Sequence, residues 1–287
     1  MTSSWDKHEN YPEKHRISAL GWLRVLGRGV ILGSIVFGCL GILLLVRVIE
    51  KPIHGLHRPW TPFITQFVCR SAFWVLGMKF SARGDLMTQR GAVVANHSSW
   101  LDIFALNARK RIYFVSKAEV AKWPGIGWLA KATGTVFIKR DPKEARRQKE
   151  VFEARLLAGH KLLFFPEGTS TDAVRVLPFK PTLFAAFFAP ELRDALYVQP
   201  VTVMYHAPAG EDARFYGWWG DMEFGEHLLQ TLSQSPQGRV ELIYHTPVAV
   251  RDFASRKALA AYCEGVVRGG HLLTPDGNQS GPGPIDP

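Results

Sequence analysis

Only three cysteines are spread over the 287 residues, and Cys39, Cys69 and Cys263 form no C-x-x-C pair. That spacing excludes a disulfide framework and offers no paired-cysteine metal site, so no metal is expected. A G-x-S-x-G elbow is also missing, which removes the commonest nucleophile signal of a thioester or ester hydrolase. The chain has no internal repeat and no zinc-finger, helix-turn-helix or aromatic RNA-recognition pattern, and nucleic acid is therefore not the expected partner. Acidic residues are outnumbered: 25 Asp and Glu stand against 35 Lys and Arg, for a formal net charge of +10. Such a surplus calls for anionic partners, either an acidic lipid surface or an acidic carrier protein.

One long stretch lacks charge altogether. VILGSIVFGCLGILLLV (30–46) approaches the length of a membrane-spanning helix. Arg24 and Arg28 flank it on one side and Arg47 and Lys51 on the other, so charge asymmetry does not orient it. Polar residues precede it and no small-residue cleavage site follows, which fits a retained anchor better than a signal peptide. Next to it, WTPFITQFVCRSAFWVLGMKF (60–80) is rich in aromatics but interrupted by Gln66, Arg70 and Lys79. That pattern suits either an amphipathic helix in the membrane interface or a core helix. A hydrophobic anchor in a basic chain favours lipid as the anionic partner, since juxtamembrane Lys and Arg are drawn to acidic headgroups. By itself this would also describe a noncatalytic protein of anionic membranes.

From residue 80 onward, short apolar runs alternate with helix-forming stretches. Strands are expected near 79–83, 91–95, 111–115, 134–138, 161–166, 197–205 and 239–248, with helices at 99–109, 141–159 and 183–190. This alternation predicts an α/β fold, a mixed sheet flanked by helices, behind an N-terminal membrane-anchoring helical segment. The expected organisation is a polar leader (1–18), anchoring or interfacial helices (19–80), an α/β domain (81–274) and a tail (275–287) too rich in Pro, Gly and polar residues to order.

Chemistry is concentrated where strands end. GAVVANHSSWLDIF (91–104) puts His97 and Asp102 just beyond a buried run, the place where open α/β sheets carry their sites. Within one regular helix, five steps of about 100° would separate the two side chains onto different faces. They converge only when His97 lies in the turn and Asp102 inside the helix, with Ser98 or Ser99 as N-cap. His97 is then a candidate general base oriented by Asp102. Lys139 and Arg140, ending GTVFIKR, are cations able to hold an anion, or simply the start of a solvated helix face. Glu167 and Gly168 in FFPEGTST pair a carboxylate with a bare backbone, suited to a substrate hydroxyl or to an ordinary turn. Pro200 in VQPVTV lacks an N–H, which places that residue at an edge or a bulge.

Taken in order, NHSSWLD, GTVFIKR, FPEGTS and QPV resemble the four blocks of the glycerolphosphate acyltransferase family, most closely its bacterial 1-acylglycerol-3-phosphate acyltransferase members. The likeness runs over roughly residues 70–250. It implies transfer of a fatty acyl group from acyl-CoA or acyl carrier protein to the free sn-2 hydroxyl of 1-acyl-glycerol-3-phosphate, giving phosphatidic acid in phospholipid synthesis, with no cofactor beyond that donor. His97 and Asp102 would be catalytic. Lys139, Arg140, Glu167, Gly168 and Thr169 would contact the acceptor. Many members carry an Arg after the Thr of the third block, where this chain has Ser170. Arg175 or Lys180 would then supply the phosphate contact, or the acceptor would be lyso-ornithine lipid in place of lysophosphatidate. The resemblance further implies a bacterial inner-membrane location with the catalytic domain on the cytoplasmic side.

Overall fold

A computed structural model describes residues 11–13, 15–138 and 145–272, the side chains of 145–149 excepted. Lys139 and Arg140 lie outside the described residues, as do most of the 1–18 leader and the 275–287 tail. The chain opens with two helices, α1 (Ala19–His54) and α2 (Thr61–Leu76), and continues through β1 (Lys79–Arg83), β2 (Gly91–Ala95), α3 (Leu101–Arg109) and β3 (Tyr113–Lys117). A 3-10 turn (Ala118–Lys122) leads into α4 (Ile126–Thr133), β4 (Val136–Ile138), α5 (Ala145–Leu157) and β5 (Leu162–Phe164). After a 3-10 helix (Pro181–Phe188) come α6 (Pro190–Arg193), β6 (Tyr197–His206), α7 (Phe224–Ser233), β7 (Arg239–Tyr244), β8 (Val248–Ala249) and α8 (Arg256–Leu272).

The strands form one mixed sheet in the order β1-β7-β6-β2-β5-β3-β4, with β8 also paired to β6. Strands β6, β2, β5, β3 and β4 are parallel, so their carboxyl ends share one edge. Strands β7 and β8 pair antiparallel with β6, and β1, parallel to β7, shares their direction. Period-two alternation divides the core between the two faces of the sheet. Val93, Ala95, Val201 and Val203 pack towards α2, α3 and α7. Ala92, Val94, Leu162 and Phe164 pack towards α5, the 181–188 helix and α8.

Pro200 corrects one expectation, since it lies in the central strand β6 and not at an edge, paired with Val94 of β2. Its carbonyl accepts from His245 N–H at 3.0 Å. The same side of the residue therefore faces the break between β7 and β8, where no ladder partner needs its missing N–H.

The uncharged run forms the middle of a longer helix. At 36 residues, α1 is about 54 Å long, and its most apolar window has a mean hydropathy of 2.7 with little of it buried. Both ends are fastened to the body of the protein. Near the start, Arg28 donates to Leu232 O and Gln234 O, each at 2.7 Å, and Arg24 to Ser233 O at 3.2 Å, capping the carbonyl end of α7. Near the end, buried Glu50 accepts from Trp60 N at 2.7 Å and Thr61 N at 3.0 Å, capping the amino end of α2. Between them Val25 and Leu32 rest on the core, while Leu26, Phe37, Leu45 and Val48 are exposed. The helix thus lies along the domain and turns an apolar face outward. Helix α2 has two faces: Cys69, Phe73 and Leu76 join the core, as expected of a core helix, whereas Phe63, Phe67 and Trp74 are exposed.

Candidate active site

At the carboxyl edge of the sheet, β2 ends at Ala95 and the chain turns through 96–100 into α3. Asn96 holds that turn by imitating a strand: its Oδ1 accepts from Val203 N at 2.8 Å and its Nδ2 donates to Val203 O at 2.9 Å. His97 lies in the turn and Asp102 in the first turn of α3, and they meet with His97 Nδ1 2.7 Å from Asp102 Oδ2. The Asp102 side chain is fully buried, and that of His97 is 20% exposed.

Asp102 accepts from several directions. Oδ2 also receives the N–H groups of Ser98 at 2.8 Å and Ser99 at 3.0 Å, while Oδ1 receives the Tyr205 hydroxyl at 2.8 Å. Burial and the adjacent carboxylate push the Tyr205 phenol well above its ordinary value, which keeps it a donor. An anionic Asp102 at Nδ1 keeps the proton on that nitrogen and leaves Nε2 of His97 as the basic lone pair. Phe165 stacks flat against the imidazole at 3.9 Å between centroids and fixes its plane.

The serines depart from their expected role. Trp100 stands at the N-cap of α3 with no side-chain cap, and it is Asp102 that gathers the orphan N–H groups of the turn. Only 1% exposed, Glu167 turns inward, Oε1 accepting from His97 N at 2.6 Å and Oε2 from Leu177 N at 2.7 Å. As placed, this carboxylate meets main chain at two part-buried N–H groups, the turn-holding alternative that the sequence left open. Burial raises it to about 8, against the opposing pull of those two N–H groups.

Two more contacts complete the brace around the turn. Thr171 N donates to His97 O at 2.8 Å, and Trp218 N to Ser98 O at 3.0 Å. Gly168, at φ 74°, occupies the left-handed region open to glycine, and a Cβ there would lie 2.8 Å from Lys180 Nζ. Lys180 is thus brought beside the third block. Arg175 pairs with buried Asp172 at 2.8 Å, and Thr171 Oγ1 lies 3.1 Å from both Arg175 O and His97 O. Thr169 and Ser170 are half-buried on the same loop. Sequence reasoning missed the contacts of Tyr205 and Trp218 with this turn. For Tyr205 a signal existed, because alternation in β6 puts it on the same sheet face as Val201 and Val203.

Among the described residues no group of His, Cys, Asp and Glu is arranged to hold a metal ion. What the site offers is an oriented imidazole, partly open, on a rigid main-chain frame.

A family model described as Acyltransferase matches residues 77–204. Lyso-ornithine lipid O-acyltransferase of Rhodobacter capsulatus is 58% identical over 247 residues, 86% of this chain and 90% of that protein. The Pseudomonas aeruginosa protein of the same name is 32% identical over 86% of this chain and 93% of its own length. 1-acyl-sn-glycerol-3-phosphate acyltransferase of Neisseria gonorrhoeae is 41% identical, but over only 32% of this chain and 36% of that one. The crystal structure of the 1-acyl-sn-glycerophosphate acyltransferase from Thermotoga maritima aligns with a TM-score of 0.63 at 23% identity, covering 88% of this chain and 94% of that chain, a likeness that shows the fold. On the strength of a 58% identical relative spanning 86% of its length, and with the matched segment carrying His97, Asp102, Glu167 and Gly168, this chain belongs to the acyltransferase family.

Proposed function

We propose that the chain transfers a fatty acyl group from a thioester, acyl-CoA or acyl carrier protein, to the free hydroxyl of lyso-ornithine lipid, with His97 as general base. The His97–Asp102 pair carries the chemical part of this reading. Nε2 accepts the hydroxyl proton as the oxygen attacks the thioester carbonyl, and Asp102 stabilises the imidazolium that forms. A new C–O bond makes a tetrahedral oxyanion. As it collapses, the C–S bond breaks, and the departing thiolate recovers the proton from His97. No covalent enzyme intermediate, metal or cofactor is required.

The acceptor assignment draws on relatives that match most of this chain and are named for lyso-ornithine lipid, and on Ser170, which stands where many phosphate-accepting members carry an Arg. Lysophosphatidate is the second reading, favoured by the four sequence blocks and by the shorter match to the Neisseria protein. The outward apolar face of α1, with α2 beside it, supports a protein embedded in a membrane interface, and the same proposal takes that membrane to be a bacterial inner membrane with an anionic surface and the catalytic domain to the cytoplasm.

The test is labelled acyl transfer by the detergent-solubilised protein, offering lyso-ornithine lipid and lysophosphatidate side by side with both donor types. Transfer to lyso-ornithine lipid that disappears in His97→Ala is the expected result. Transfer to lysophosphatidate alone would move the assignment to the second reading, and full activity in His97→Ala would remove the base.

A further inference from the structure

Beyond α1 and α2, apolar side chains are exposed on a third element. The segment 117–133, comprising the 3-10 turn and α4, packs against both α1 and α2 and continues the layer that they form. Its exposed side chains include Trp123 (40%) and Trp128 (64%) together with Lys117, Lys122 and Lys131. Glu119 is its one carboxylate. Exposed indoles beside lysines are the composition of a membrane–water interface, where the rings sit at headgroup depth and the ammonium groups meet acidic phosphates. The segment is also stiff: a Cβ at Gly127 would lie 2.4 Å from Ala121 O, so α4 and the turn before it touch backbone to backbone. A rigid hook with two exposed tryptophans is poorly suited to water.

This hook reaches the chemistry. Trp123 meets Trp218 edge-on at 6.3 Å between centroids, and Trp218 N donates to Ser98 O in the catalytic turn at 3.0 Å. Trp218 in turn contacts Phe224, and Phe224 contacts Trp100, at 6.2 and 5.4 Å. A continuous aromatic strip therefore joins the exposed segment to the residues flanking His97.

We propose that the segment 117–133 is a separate membrane-contact element that inserts Trp123 and Trp128 into an anionic bilayer and places the rim of the His97 site at the headgroup level. A lysolipid then reaches the imidazole without leaving the lipid phase. The inference rests on the reading of α1 as membrane-embedded, and the experiment keeps the two separable.

Single nitroxide labels are placed at Trp123→Cys, Trp128→Cys, Leu45→Cys on α1 and Lys257→Cys on α8, at the other face of the sheet. Each is made in the full chain carrying Cys39→Ala, with Cys69 and Cys263 left buried. Collision with oxygen and with a water-soluble nickel chelate is measured in phosphatidylglycerol–phosphatidylcholine vesicles. Oxygen-favoured labels at 123, 128 and 45 with a nickel-favoured label at 257 are expected. Nickel-favoured labels at 123 and 128 beside an oxygen-favoured label at 45 overturn this inference alone. Nickel-favoured labels at all four sites overturn it together with the membrane reading. Labels 123 and 128 are read separately, so failure of one variant to fold leaves the other decisive.

Discussion

Glu167→Gln separates a main-chain clamp from a substrate contact. In the structure both carboxylate oxygens accept short bonds, from His97 N at 2.6 Å and Leu177 N at 2.7 Å. An amide keeps one acceptor and turns the other into a donor, which leaves one buried N–H unpaired at a cost of about 1–3 kcal/mol. If the freed N–H is that of His97, the base shifts as well, and a displacement near 1 Å can cost about 100-fold in rate. Unfolding midpoints in detergent and steady-state kinetics are measured together. The expected outcome is a lower midpoint with a lower kcat and little change in acceptor KM. An unchanged midpoint with a raised KM would refute the clamp and restore Glu167 to the substrate. The pH dependence gives a second reading. Burial raises Glu167 from an ordinary 4.5 to about 8, so the folded protein holds this proton more tightly than the unfolded chain does. The associated stability is complete below about 4.5 and is lost as pH rises through about 8, with a slope of up to about 1.4 kcal/mol per pH unit. The Gln variant should lack that component of the slope.

Asp102→Asn should lower kcat by roughly 10³–10⁴, because a neutral amide no longer secures the Nδ1–H tautomer; acyl transfer at wild-type rate would refute the orienting role. Tyr205→Phe removes one of the donors to the same carboxylate and should cost about 1–2 kcal/mol of stability with a milder loss of kcat, read by denaturation and initial rates. Lys110 is buried at the opposite end of the sheet, where Nζ donates to Met87 O at 2.7 Å. Burial, aided by Lys161, lowers it to about 7 from 10.5. Its amine holds a proton less tightly in the folded state than in the unfolded chain, so stability rises with pH between about 7 and 10.5 and is lost as pH falls through about 7. Lys110→Met should flatten that rise in denaturation curves taken across the interval.

Local signals were enough to locate much of this architecture. Strand 91–95 was readable to the residue because its apolar run opens at Gly91 and closes on a polar turn. The His97–Asp102 spacing demanded a turn followed by a helix, and that is the observed arrangement. Other features depend on contacts distant in sequence. Helix α8 contains Gly265, Gly269 and Gly270, which weaken a helical reading. Gly270 is present because a Cβ there would lie 2.5 Å from Thr202 Oγ1 on β6. The inward turn of Glu167 is decided by a backbone N–H 70 residues away, which no window along the chain contains. The break that excuses Pro200 exists only once β7 and β8 have docked on β6.

The four sequence blocks are easily taken as a roll of substrate ligands, yet here much of their bonding is to one another. Asn96 is spent on Val203, Glu167 on His97 and Leu177, Asp102 on the turn that precedes it, and Thr171 on the His97 carbonyl. Apart from the Glu167 bond to Leu177 N, each of these bonds either ends on the main chain near His97 or fixes the strand from which that turn springs. Their common effect is to place one imidazole with little freedom, the form in which preorganisation lowers a barrier. On the proposed reading, acceptor discrimination falls to positions outside this brace, and Thr169 and Ser170 on the third-block loop, with Lys180 beside Gly168, are the candidates for it. A change of headgroup from phosphate to amino acid would then leave the turn that carries His97 unaltered.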